Sequence, residues 1–105
     1  MDELVQKLSQ GDHPVVTQRY KTSEELKQAI DRDYVLVKFT DTRGGTELGV
    51  KLDKQLSDWG KADFAKASGK VHLAGDLTLN YVKVRCVADV DLATLAGQGH
   101  LEIRE

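Results

Sequence analysis

The sequence has 105 residues, 40% of them hydrophobic, which is the size and composition of one domain with its own core and leaves no room for a second. Fifteen Lys and Arg against seventeen Asp and Glu give a net charge of −2, without the one-sided basic field that a nucleic-acid binder carries. No apolar run reaches the length of a membrane span, and the acidic Met1-Asp2-Glu3 start and single cysteine, Cys86, lead us to expect a cytoplasmic protein that needs no disulfide.

Along the chain, Leu4, Val5 and Leu8 fall at helical spacing between Asp2, a suitable N-cap, and Gly11, a stop. Val15 to Tyr20 reads as a weakly patterned strand. Thr22 to Arg32 is the clearest helix, with Thr22 and Glu25 at capping-box spacing and Leu26, Ala29 and Ile30 on one stripe. Tyr34 to Thr40 and Thr46 to Asp53 read as strands joined through Thr42-Arg43-Gly44-Gly45. The expected register sets Phe39 against Leu48, Val37 against Val50 and Val35 against Leu52, with every apolar pair on one side.

Leu56, Trp59, Gly60, Phe64 and Ala67 roughly follow one side of a helix that ends at Gly69, and with Gly60 inside the run a loop plus a short helix fits as well. Val71 to Leu92 alternates for too long to be a single strand. A fold at Gly75-Asp76 would mix apolar and polar residues on each face. A fold at Asn80-Tyr81 instead pairs Leu79 with Val82, Leu77 with Val84, Gly75 with Cys86, Leu73 with Ala88 and Val71 with Val90, and on the other face Asp76 with Arg85 and His72 with Asp89. Asp91 to Gly99 reads as a turn or one helical turn, and Leu101 to Arg104 as a short last strand.

The expected fold class is α+β: a mainly antiparallel sheet in one domain, residues 1–105, with two or three helices packed on it. The order from Val15 to Leu79 is β-α-β-β-α-β with an added C-terminal strand, which resembles the ferredoxin-like arrangement. That resemblance is topological and carries no function. The expected core includes Val35, Val37, Phe39, Leu48, Val50, Leu52, Leu73, Leu77, Leu79, Val82, Val84, Cys86 and Val90.

Gly69-Lys70 lacks the remaining residues of a phosphate loop and runs into a strand instead of a helix. His13, His72 and His100 are not at metal-ligand spacing with one another or with Cys86, so neither a metal nor another cofactor is expected. His72 beside Asp89 is the one pair placed to orient an imidazole, with no serine or second cysteine predicted next to it. Trp59 and Arg43 are residue types that anchor interfaces when exposed.

The expectation is therefore a non-catalytic interaction or accessory domain, more in keeping with a binding module than an enzyme. Its partner would be another protein or a second copy of itself, and its binding residues Arg43, Trp59, His72, Arg85 and Asp89. The alternative is a small-molecule binder or small enzyme with a pocket near His72, Arg85 and Asp89. A basic stripe joining Lys61, Lys66 and Lys70 would be needed to favour nucleic acid.

Overall fold

In the computed structural model, which describes residues 3–17, 19–60 and 62–104, six alternating segments curl into a closed antiparallel barrel. The strands are β1 (His13–Val16), β2 (Tyr34–Phe39), β3 (Thr46–Leu52), β4 (Lys70–Leu79), β5 (Val82–Asp91) and β6 (Ala96–Ile103); the helices among the described residues are α1 (Glu3–Leu8) and α2 (Ser23–Asp31). Each strand pairs with its neighbour in sequence, and β1 pairs with β6 as well as β2, which closes the circle. The expected α+β sheet with ferredoxin-like order is thus replaced by a β-barrel. Asp2, the expected cap of α1, lies outside the described residues, as does Lys61.

Two local features account for the difference. The segment expected to be a helix, Leu56 to Ala67, is a chain of turns with isolated bridges between Asp58 and His72 and between Asp63 and Ser68. Asp53, Asp58 and Asp63 accept from the backbone N–H of Gln55, Gly60 and Lys66. Such local side-chain bonds compete directly with the helical ladder. Second, the last strand begins at Ala96, not Leu101, and its first half, through Gly99, pairs with β1. Gly97 and Gly99 hide the alternation there. They are also what lets the wall bend: a Cβ at Gly97 would overlap the Asp89 carbonyl oxygen of β5.

The β4–β5 hairpin folds as the alternation requires, with all ten pairs from Lys70–Asp91 to Leu79–Val82 in the expected register. Asn80 and Tyr81 take φ of 50° and 68°, the left-handed pair of a two-residue turn. The β2–β3 hairpin keeps the expected face but slips by two residues: Phe39 faces Thr46, Val37 faces Leu48 and Val35 faces Val50. A two-residue slip leaves the apolar face unchanged, so the turn decides. Gly44 and Gly45 at φ 76° and 78°, a Gly45 N–H bond to the Thr42 carbonyl and a Thr42–Thr46 hydroxyl contact of 2.7 Å close a shorter loop.

The barrel is filled by the inward residues of its strands together with Val5 and Leu8 of α1 and Leu26, Ala29 and Ile30 of α2. The Thr22 hydroxyl accepts from the Glu25 N–H at 3.1 Å, and the Glu25 carboxylate accepts in return from the Lys21 N–H at 2.7 Å, one residue before the expected partner. Of the expected core, Leu77, Leu79 and Val82 are only partly buried. They stand near the turn of the β4–β5 hairpin, past Asp76, the last β4 residue that pairs with β3. No described helix is long and apolar enough to cross a membrane.

Candidate protein-interaction face

Because successive strand residues point to opposite sides, burying Val84, Cys86, Ala88 and Val90 turns Arg85, Val87 and Asp89 of β5 outward. On β4 the outward set includes His72 and Asp76, and on β6 it includes Gln98, His100 and Glu102, which register opposite Asp89, Val87 and Arg85. The result is a three-stranded face of mixed charge. His72 Nδ1 lies 2.7 Å from Asp89 Oδ1, and Arg85 Nε donates to Asp76 Oδ1 at 2.9 Å. His100 Nε2 is 3.1 Å from Glu102 Oε2, and its Nδ1 is 3.4 Å from Asp12 Oδ1. The Arg85 hydrogen bond holds the Asp76 carboxyl below the usual carboxylate range and raises the guanidinium in turn. Both partners of that pair are charged at neutral pH.

Trp59 reaches the same face through the backbone. Asp58 and His72 exchange N–H···O bonds of 2.8 and 2.7 Å, which seats the half-buried indole at a depression of about 130 Å³ shared with Lys70, His72 and Asp89. A larger groove of about 560 Å³ adjoins it across β5 and β6, bordered by Asp12, Lys70, Val87, Asp89, Gln98 and His100. Its walls are mostly charged or amide-bearing, unlike the apolar lining of a small-molecule pocket.

Four of the five residues singled out in the sequence, Trp59, His72, Arg85 and Asp89, thus lie on or beside one face. Arg43 does not join them; it is exposed on the turn between β2 and β3. His100, Gln98 and Glu102 were missed because glycine and glutamine obscure the start of β6, and Lys70 and Asp12 because only the folded chain brings them to this groove. The His72–Asp89 pair is a solvent-exposed hydrogen bond, its side chains 40% and 61% exposed. The Cys86 thiol points into the barrel, where burial pushes its pKa up to about 12, and the Ser57 hydroxyl is engaged by both backbone groups of Ala74. Among the described residues no group of three or more His, Cys, Asp or Glu is arranged to hold a metal ion.

The family model described as core binding factor beta subunit matches residues 1–105 of this chain. The chain belongs to that family. No curated protein sequence matches it. Core binding factor beta subunits are non-catalytic accessory subunits of a transcription factor and act by binding a partner protein. The expected accessory, protein-binding role therefore stands at that level.

Proposed function

We propose that this core binding factor beta subunit binds its partner through the outer face of β4, β5 and β6, with Trp59 as an apolar anchor at its edge. The observation that carries this reading is the row of outward-facing polar pairs, the hydrogen-bonded His72–Asp89 and the ion-paired Asp76–Arg85, laid on neighbouring strands beside a half-buried tryptophan. A rigid sheet fixes the spacing of such charges, and their sign pattern selects a complementary surface while contributing little affinity of its own. Tryptophan and arginine are the residue types that dominate interface energetics when a partner seals them from water. The lone buried cysteine suits a reducing intracellular compartment.

The test is charge reversal, Arg85→Glu and Asp89→Lys, singly and combined, in capture of the partner subunit from lysate of the source cells, with circular dichroism confirming the fold. Arg85→Glu gives up the Asp76 pair and sets a carboxylate beside it, so capture is compared only between variants whose thermal unfolding shows a folded protein at the assay temperature. We expect each single variant to weaken capture and the double variant to abolish it. Undiminished capture by the double variant would remove this face from the interaction.

A further inference from the structure

A helix of six residues such as α1 does not persist by its own hydrogen bonds and depends on tertiary contacts. Its apolar contacts run through the buried Val5 and Leu8. Its polar contacts meet at Asp41, in the loop between β2 and β3. Lys7 Nζ donates to the Asp41 carbonyl at 2.6 Å. His13, the first residue of β1, lies between the Asp41 carboxylate and the Gln10 carbonyl. The chain leaves α1 through Gly11 at φ 70°, a left-handed turn that brings the histidine back to the open carbonyls at the helix end.

The ring is nearly buried, and each nitrogen has its own acceptor: Asp41 Oδ2 at 2.7 Å from Nδ1 and the Gln10 oxygen at 2.9 Å from Nε2. Two N–H groups are needed, which only the imidazolium has. Around it stand the Asp41 carboxylate from the β2–β3 loop, the Lys7 and Gln10 carbonyls from α1 and the Phe39 ring from β2. The Lys7 ammonium acts on Asp41 from the same side. On β6, Gly99 registers opposite His13 and brings no charge, while His100 meets the connection through Asp12 at 3.4 Å.

We propose that His13 is a proton-operated latch on α1: as the cation it ties Asp41 to the end of the helix, and on losing its proton it keeps Asp41 and releases the Gln10 carbonyl. A neutral ring has one N–H to give, and a carboxylate is the stronger acceptor. The bared Nε2 lone pair then faces the Gln10 oxygen. Loss of the cation also removes a favourable charge from the helix C-terminus. The Asp41 bond raises the pKa of His13 from 6.5 against the opposing effect of burial, so release falls above pH 6.5. Val5 and Leu8 still hold the helix closed most of the time. The change is in how often α1 opens as a local excursion of the intact barrel, which should rise about tenfold when the charge-assisted bond is lost.

Amide exchange followed by NMR on the full chain, expressed as protection factors, tests this from about pH 5.5 to about pH 8.5, on both sides of the histidine range. The Ser9 amide, bonded to the Val5 carbonyl, should be less protected at every pH than the Cys86 amide of β5, a strand paired on both sides. Its protection should fall about tenfold at the pH where the His13 ring titrates, with imidazole nitrogen shifts showing the neutral ring as the Nδ1–H tautomer. His13→Gln should abolish the step. Asp41→Asn should abolish it with the histidine in place, because the asparagine amide can donate to a bare Nδ1 and leave Nε2–H on Gln10. His100→Gln should leave the step unchanged. Ser9 protection that is flat with pH, or equal to that of Cys86, overturns the proposal. So does an Nε2–H neutral ring, or a step that survives Asp41→Asn or disappears in His100→Gln.

Discussion

Both ring nitrogens of His13 meet acceptors: Nδ1 is 2.7 Å from Asp41 Oδ2 and Nε2 is 2.9 Å from the Gln10 carbonyl. A neutral imidazole has one N–H to give, so this geometry calls for the cation. The Asp41 hydrogen bond raises the His13 pKa against the opposing effect of burial, and the same bond lowers that of Asp41. The raised imidazole contributes stability that is complete below its unfolded value and is lost as pH rises through its folded value. The lowered carboxylate contributes stability present above its unfolded value and lost as pH falls through its folded one. Stability should therefore peak between about pH 4 and pH 6.5 and decline on either side. Asp41→Asn should flatten both limbs in thermal melts taken across that range and beyond it. Cys86 gives a second check at this scale: buried and held as the thiol, it should react slowly with a thiol reagent in the native protein and quickly in urea. Rapid native labelling would take it off the inner face. Cys86 was legible as a core residue because Val84 and Ala88 flank it in step, whereas the His13–Asp41 contact joins residues 28 apart that no local pattern connects.

Among the elements, legibility followed the strength of local pattern. The β4–β5 register could be read because the competing fold at Gly75-Asp76 mixed polar and apolar residues on each face. The β2–β3 register slipped because two pairings satisfied the same face, and only the Gly44–Gly45 turn separates them. The span from Leu56 to Ala67 misled because its apolar spacing suits a helix while its aspartates cap turns. These distinctions bear on energetics as well. Leu101 in β6 is 1% exposed and surrounded by core, whereas Leu79 is the last residue of β4 before the hairpin turn and is only partly buried. Leu101→Ala should cost about 2–5 kcal/mol, as for a filled core site. Leu79→Ala should cost about 1 kcal/mol, because little of its surface is withdrawn from water. Urea denaturation of the two variants checks the contrast, and equal losses would place the hairpin tip inside the core.

At the scale of the whole molecule, closure of the barrel depends on a short strand between two longer ones: β1 has four residues and joins β6 to β2. Closing a sheet of only six strands demands strong curvature, and the wall bends where side chains are missing. At Gly97 an added Cβ would overlap the Asp89 carbonyl oxygen and approach the Val90 Cα at 3.0 Å, both backbone atoms of β5 that cannot swing aside. At Gly60, in the turns before β4, the nearest atom is the Asp58 carboxylate at 3.5 Å, an ordinary contact. The two glycines therefore separate a closure requirement from mere glycine content. Gly97→Ala must push β5 from β6 or shift the strand, and should lower stability by about 1–3 kcal/mol, the usual range for an overpacked interior. Gly60→Ala should change it by no more than about 0.5 kcal/mol. Unfolding should be followed in parallel by far-ultraviolet circular dichroism for the barrel and by Trp59 fluorescence for the loop bridged to β4 at Asp58–His72. If β1 closes one cooperative unit, the two probes will move together in the Gly97 variant, with a lowered midpoint. A Gly97→Ala protein as stable as the parent would show that β5 and β6 are not held as closely as the pairing of Val90 with Gly97 requires.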